Sequence, residues 1–297
     1  MHKPFELHGH RGARALFPEN TLPGFIATMA LGVDGLELDI ATTADGVPVI
    51  FHDPDLHPDL VRLPDGSWLA GSRPLIRNIP LAELRRYDVG RIRPGSQTAL
   101  NFPDQVPRDG THIPTFAEII AATEGSQVTL QAELKILPQR PEATVPAPLM
   151  ADAAIAVAVQ AGALDRLDLR SFDWLALRYV RLHYPTIPLT YLTRRPRPDL
   201  APFYWDSDMS SSVPAAVAAE SHGRSVVWAP EYMTLTEALL TDAHALGLRV
   251  MPWTVNDPAD MARLIVWGVD GICTDRPDLA RIAMVAAGLP LPAPFIA

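Results

Sequence analysis

Short apolar segments alternate with helical segments along the chain from residue 115 onward. Each apolar segment has the length of a buried strand, and each is followed by a stretch with helical periodicity. Successive parallel strands need such crossover helices, so the alternation predicts a parallel sheet. The predicted strands lie at 5–9, 35–40, 127–134, 167–171, 187–192, 225–228, 249–253 and 271–274. Eight strand–helix units fit a (β/α)8 barrel. The weakest pattern is at 194–223, where we predict only a helix near 213–219.

An open doubly wound sheet would show the same alternation. Such sheets normally use a glycine-rich phosphate loop, but the chain has neither Gly-x-Gly-x-x-Gly after its first strand nor Gly-x-x-x-x-Gly-Lys-Ser/Thr. In a barrel, polar residues at the carboxyl ends of all strands meet at one mouth. We therefore predict a single α/β catalytic domain over residues 1–297, a TIM barrel with an insertion after the second strand.

Residues 54–114 interrupt the regular pattern. They are rich in proline, glycine and charged residues, and only 81–87 has a convincing helical pattern. A stretch of this length with little regular structure is usually an insertion or a lid over a site. We expect it to cover the barrel mouth.

Five polar residues lie where short apolar runs end in the first fifty-three residues: His10, Arg11, Glu37, Asp39 and His52. A strand end fixes the origin of a side chain while the loop beyond it leaves room for a ligand. Glu37 and Asp39 are separated by one residue, so on a strand they face the same side. Two carboxylates on one inward face indicate a divalent metal, because burying either one unpaired is costly. The alternative is an exposed edge strand with an acidic face.

The chain resembles the glycerophosphodiester phosphodiesterase family, whose fold is a TIM barrel. The resemblance is spread in order over most of the chain, and its pieces together are far more specific than any single one. They are residues 10–13 (HRGA), 18–21 (PENT), 35–39 (GLELD), 43–46 (TADG), 49–53 (VIFHD), 113–115 (IPT), 133–135 (ELK), 253–256 (WTVN), 268–271 (GVDG) and 274–275 (TD).

Glu133 and Lys135 repeat the alternation of the first acidic pair on a later strand. One interpretation makes Glu133 the third metal ligand and Lys135 a phosphate partner. The other is a Glu–Lys ion pair that closes the barrel, although such pairs add little stability. Three carboxylates suit one hard cation, Mg²⁺ or Ca²⁺, better than zinc.

The resemblance implies hydrolysis of a small-molecule glycerophosphodiester to an alcohol and glycerol 3-phosphate. It assigns acid–base catalysis to His10 and His52 without saying which is the acid, and it makes Trp253 an aromatic wall for the glycerol moiety. Arg11 and Lys135 would bind the phosphate, Arg11 in a bidentate way. In the family, the substrate's own glycerol hydroxyl is thought to attack phosphorus; attack by metal-bound water would use the same residues.

Several neighbouring residues have more open roles. His8 can share the face of His10 and belong to the site or its surroundings. Glu19 and Asn20 brace the Arg11 loop or merely cap a helix, which we expect to begin after Asn20 or Thr21. Phe51 and Asp53 are expected to orient His52.

Three other functions fit parts of the pattern. A lysophospholipase D-type enzyme on the same fold would need an apolar trough, and residues 203–205 and 68–69 are the visible hints of one. A non-catalytic phosphodiester-binding barrel would be expected to lack one of the two histidines. A metal-dependent sugar-phosphate isomerase would also use clustered carboxylates, but that function leaves the two histidines beside an arginine and a carboxylate pair unexplained.

Composition narrows the partners and the compartment. The net charge of −9 argues against nucleic-acid and anionic-membrane binding, and no apolar run approaches the ~20 residues of a membrane span. The single cysteine, Cys273, lies in an apolar segment, fits a reducing compartment and reads as a buried structural thiol. The first residues lack the apolar core of a signal peptide, so we expect a cytoplasmic protein. The pattern gives no indication of an oligomeric state.

Overall fold

Eight parallel strands form the centre of the computed structural model, which describes residues 4–195 and 212–296. A short ninth strand, β3, pairs antiparallel with β2. The strands are β1 (Glu6–Gly9), β2 (Gly35–Thr42), β3 (Pro48–Ile50), β4 (Thr129–Leu134), β5 (Leu167–Ser171), β6 (Leu189–Thr193), β7 (Val227–Pro230), β8 (Arg249–Val250) and β9 (Gly271–Thr274). Their order is β8-β7-β6-β5-β4-β2-β1-β9, so every neighbouring pair except β1 and β9 follows the chain.

The two ends of this order meet and close the barrel. Strand β1 pairs with both β2 and β9. On the other side of β9, the backbone N–H of Cys273 donates to the carbonyl of Pro252 at 3.0 Å, and that of Val255 donates to Cys273 at 3.0 Å. The predicted (β/α)8 barrel is confirmed.

Strand β8 is shorter than the predicted strand at 249–253. It ends at Val250, and Pro252 follows two residues later. Proline has no N–H to donate to a ladder, so the regular ladder is interrupted there, and one isolated bridge pairs Trp253 with Glu231 beyond it.

Helices surround the barrel, and the first one begins at Leu22, directly after Thr21, as predicted. Thr115 forms a capping box with Glu118, and the side chain of Asp173 caps the helix that starts at Trp174. The helices are α1 (Leu22–Leu31), α2 (Leu81–Leu84), α3 (Gln97–Asn101), α4 (Phe116–Ala122), α5 (Ala147–Gln160), α6 (Trp174–His183), α7 (Val213–Ser221), α8 (Glu237–Ala245), α9 (Pro258–Trp267) and α10 (Pro277–Ala286). Helix α7 confirms the one element predicted in the weak zone at 194–223. Helix α2 is one turn, shorter than the predicted 81–87. Among the described helices, none is long and apolar enough to cross a membrane.

Residues 54–114 build a small hydrophobic core of their own. Leu56, Val61, Leu84 and Val89 pack there against Val49 and other residues of the barrel side. The segment contains α2, α3 and one 3₁₀ turn at Ile76–Asn78. It is therefore packed against β3 rather than extended into solvent.

The barrel interior is polar below the mouth. His8 is buried, with Nδ1 3.3 Å from Oε1 of Gln131 and Nε2 3.2 Å from Oε2 of Glu6. Gly35 leaves room for the imidazole, because a Cβ there would lie 2.6 Å from Nε2 of His8. His8 thus packs in the interior and does not line the cavity at the mouth.

Candidate active site

A cavity of about 470 Å³ lies at the carboxyl ends of the strands. We call it the central cavity. All but one of the predicted site residues line it. Its polar lining is contributed by His10, Arg11, Glu37, His52, Asp53, Glu133, Lys135, Gln139, Arg170 and Arg194. Asp39 is buried directly beside it.

Three carboxylates meet at this cavity. Asp39 and Glu133 are register partners on β2 and β4, and Glu37 lies two residues before Asp39 on the same strand. One oxygen from each of the three lies within 4.8 Å of the others, and all three residues are buried. Oδ1 of Asp39 has no hydrogen-bond partner. A buried, unsatisfied oxygen within a cluster of hard oxygen donors fits a divalent cation such as Mg²⁺ or Ca²⁺.

The like charges of the cluster shift its pKa values in opposite directions. Burial and the adjacent Asp39 raise the pKa of Glu37 to about 8, and Arg170 opposes this rise. Burial also acts to raise the pKa of Asp39, but Lys135, His52 and Arg11 together hold that pKa well below its usual range. Protein cations thus keep Asp39 ionised while Glu37 holds its proton to neutral pH.

Lys135 bridges two of the carboxylates. Its Nζ lies 2.9 Å from Oε1 of Glu133 and 3.5 Å from Oδ1 of Asp39. The predicted Glu–Lys ion pair therefore exists, and the ammonium also lines the central cavity. Lys135 can therefore form the ion pair with Glu133 and also contact a phosphate in the cavity.

Arg11 occupies a strained loop that two residues brace. It adopts a left-handed backbone at φ 50°, and its N–H donates to Oε2 of Glu37 at 2.9 Å. Its guanidinium lies 2.9 Å from Oε1 of Glu19 and 3.3 Å from Oδ2 of Asp39. Asn20 Nδ2 donates to the same oxygen of Asp39 at 2.8 Å. Thr21 caps α1, so Glu19 and Asn20 serve the site rather than the helix.

The imidazole of His10 is oriented by a carboxylate at the far end of the chain. Nδ1 lies 2.6 Å from Oδ1 of Asp275. The same oxygen accepts from Arg14 Nε, and Oδ2 of Asp275 accepts from Asn256 Nδ2. Burial lowers the pKa of His10 to about 4, although Asp275 acts in the opposite direction. The neutral ring donates its Nδ1 proton to the ionised Asp275, so the lone pair lies on Nε2. Nε2 is 3.8 Å from Oε2 of Glu37.

His52 repeats this arrangement with a neighbour in sequence. Its Nδ1 lies 2.7 Å from Oδ1 of Asp53, whose other oxygen accepts from Arg73 at 2.9 Å. Burial, followed by Arg11 and Lys135, lowers the pKa of His52. Its side chain is 32% exposed, against 10% for His10, so His52 is the more accessible to water. Asp53 orients His52 as predicted, whereas Phe51 packs in the core of residues 54–114.

Trp253 forms an aromatic wall of the cavity. Its Nε1 donates to the carbonyl of Ala229 at 2.9 Å, and its ring meets Phe172 edge-on at 5.4 Å. Both rings line the central cavity. Two partners therefore hold the orientation of Trp253.

Sequence reasoning missed Arg170, Asp275 and Asn256. Arg170 is buried on β5, donates to Gln131 and lines the cavity, and its Nε has no hydrogen-bond partner. The alternation Asp168, Arg170 on a predicted strand was the available signal, the same one that identified Glu133. Asp275 and Asn256 lie in two of the quoted motifs, but the contact of Asp275 with His10 and that of Asn256 with Asp275 join separate parts of the chain.

The apolar trough of a lysophospholipase D-type enzyme has no support in residues 68–69. Leu69 is buried and Trp68 is half-buried, with Arg62 over its ring at 5.8 Å. Residues 203–205 lie outside the described residues.

Known proteins resemble this chain in sequence and in fold. Residues 10–279 match the sequence model of the Glycerophosphoryl diester phosphodiesterase family. A crystal structure of a candidate glycerophosphoryl diester phosphodiesterase from Silicibacter pomeroyi is 36% identical, with a TM-score of 0.88, and covers 96% of this chain and 95% of its own. A glycerophosphodiester phosphodiesterase of Caldanaerobacter subterraneus is 26% identical over 269 residues, 91% of this chain and 93% of that protein. An Oleispira antarctica phosphodiesterase, solved with the product sn-glycerol-3-phosphate, shares the fold with a TM-score of 0.71 at 24% identity, covering 94% of this chain and 96% of its own.

Proposed function

We propose that this chain, which belongs to the glycerophosphoryl diester phosphodiesterase family, hydrolyses glycerophosphodiesters to an alcohol and glycerol 3-phosphate. One observation carries the proposal: a three-carboxylate cluster and two carboxylate-oriented imidazoles adjoin a single cavity. A non-catalytic barrel has no need of two imidazoles that carboxylates orient beside the cavity. The family membership supplies the substrate class.

Glu37, Asp39 and Glu133 would hold the divalent cation. When bound, the cation offsets negative charge on the phosphate oxygens. Arg11 and Lys135 add two fixed positive charges at the same cavity, and Arg170 adds a third from β5. These cations allow a protein of net charge −9 to bind an anionic diester.

His10 and His52 would divide the proton transfers between them. Each has Nδ1 committed to a carboxylate, which leaves Nε2 for the reaction. His10 is the better base, because burial keeps it neutral. We assign the acid role to His52, because its greater exposure lets the ring regain from solvent the proton that it donates to the oxygen of the leaving alcohol. The nucleophile, a substrate hydroxyl or water, loses its proton to His10 in either case.

Trp253 and Phe172 give the cavity an apolar wall that suits the carbon skeleton of glycerol.

Three further properties stay predictions: the cytoplasmic location, the single domain over residues 1–297 and the lid role of residues 54–114. A second cavity beside these insertion residues supports the lid role.

The direct test is product identification by phosphorus NMR with a glycerophosphodiester substrate. Wild-type protein with Mg²⁺ or Ca²⁺ should release glycerol 3-phosphate, and His10→Ala and His52→Ala should each lower kcat by about 10²–10⁴-fold. His183→Ala, on a helix surface outside the cavity, is the matched control. Failure to hydrolyse any glycerophosphodiester would overturn the proposal.

A further inference from the structure

A second cavity of about 280 Å³ lies next to the central one. We call it the side cavity. Arg11, His52 and Asp53 line both cavities, so the two share a wall. Most of the remaining lining comes from residues 54–114. A diester held at the shared wall can place its two alcohol groups in different cavities.

The carboxylates of the side cavity are already paired. Glu19 Oε1 lies 2.9 Å from Arg11, and Asp53 lies 2.7 Å from His52 and 2.9 Å from Arg73. Recognition of a cationic alcohol needs an uncompensated negative charge or an open aromatic face. The carboxylates that line this cavity do not offer an uncompensated negative charge.

The aromatic residues of the side cavity do not offer an open ring face. Phe102 lines the cavity, but the guanidinium carbon of Arg14 lies 4.7 Å from the centre of its ring. The other ring, Phe51, belongs to the core of residues 54–114. The cationic group of choline or ethanolamine would be repelled by Arg14, which already covers the face of the Phe102 ring.

The rest of the lining consists of Leu60 and three neutral hydrogen-bonding groups. His57 Nδ1 accepts from the backbone N–H of Asp59 at 3.1 Å, so its neutral ring carries the proton on Nε2. Thr98 donates its hydroxyl proton to Asp59 at 2.8 Å, which leaves its oxygen as an acceptor. Asn101 adds an amide. Donors and acceptors of this kind bind hydroxyl groups.

We infer that the side cavity binds the departing alcohol and selects an uncharged polyol, such as glycerol or inositol, over choline or ethanolamine. The inference rests on the proposed function and names the substrate class for the same site. Small-ligand sites commonly have volumes of about 300–1,000 Å³. The side cavity, at about 280 Å³, lies just below this range and therefore suits one compact alcohol. His52, on the shared wall, is then next to the leaving oxygen.

The test compares kcat/KM for glycerophosphoglycerol, glycerophosphoinositol, glycerophosphocholine and glycerophosphoethanol, which carries no further polar group. We expect the two polyol diesters to exceed glycerophosphocholine by about tenfold, the worth of one or two neutral hydrogen bonds. Asn101→Leu and Thr98→Val should lower kcat/KM for the polyol diesters several-fold more than for glycerophosphoethanol. Leu100→Ala is the matched control, because Leu100 is 69% exposed on the same helix and does not line the cavity.

Equal or greater kcat/KM for glycerophosphocholine, or an unchanged substrate ratio in Asn101→Leu and Thr98→Val, would overturn the inference while the proposed function stands. Absence of hydrolysis with all four diesters would overturn both.

Discussion

Oδ1 of Asp275 lies 2.6 Å from Nδ1 of His10, although the two residues are 265 positions apart in the chain. The contact joins β1 to the loop after β9, and these two strands come from opposite ends of the chain and pair in the sheet. The pairing of β1 with β9 and the protonation state of His10, the proposed base, therefore depend on the same part of the fold.

Asp275→Asn should lower kcat by about 10²-fold or more with little loss of folded protein. An amide nitrogen at this position can donate to Nδ1, which would move the imidazole proton to Nε2 and remove the lone pair that accepts the substrate proton. Steady-state kinetics and nitrogen NMR of the imidazole measure the two effects. Asp278→Asn is the control, since Asp278 pairs with Arg276 outside the cavity. Wild-type kcat in Asp275→Asn would remove Asp275 from the mechanism.

Arg170→Gln should raise KM without weakening cation binding. Arg170 is a buried positive charge that lines the central cavity, so its removal takes away a partner for the anionic diester, whereas a bound cation loses no ligand and one repulsive neighbour. We expect kcat/KM to fall by about tenfold or more, and Arg170→Lys, which keeps the charge, to recover part of it. Circular dichroism checks the fold, because Gln131 loses a partner. If Arg170→Gln keeps the wild-type KM and kcat/KM, Arg170 has only a packing role.

Asp168→Asn should stabilise the protein increasingly as pH rises from about 4 to 6. Burial raises the pKa of Asp168 from 3.8 to about 6 in the folded state. The folded state thus binds the proton more tightly than the unfolded state. The free energy of unfolding of the wild type therefore falls as pH rises from about 4 to 6, and this loss is constant at higher pH. Since one pKa unit corresponds to about 1.4 kcal/mol, the limit is on the order of 3 kcal/mol. Urea unfolding at several pH values measures it, and a pH-independent difference would contradict the assigned pKa.

The fold could be predicted from local patterns, and most of the site from those patterns together with the family resemblance, which supplied the roles of His10, His52 and Trp253. Period-two alternation gave Glu37 with Asp39 and Glu133 with Lys135, and the alternation of strands and helices gave the barrel. Contacts that depend on how distant segments meet could not be predicted in the same way. Asp275 touches His10 only once β9 lies beside β1, and the side cavity exists only once residues 54–114 fold onto β3. Arg170 carried the right alternation, but a single basic residue on a strand is weaker evidence of a site than an acidic pair.

The central claim is that Glu37, Asp39 and Glu133 hold one divalent cation that turnover requires. The most direct measurement is glycerol 3-phosphate release by chelator-treated protein as Mg²⁺ or Ca²⁺ is added back, with bound cation determined in the same samples. We expect no turnover without cation, recovery at one cation per chain, and loss of both binding and recovery in Glu133→Gln but not in Glu142→Gln, an exposed carboxylate outside the cluster. Full turnover in the chelated protein, or wild-type cation binding by Glu133→Gln, would contradict the account.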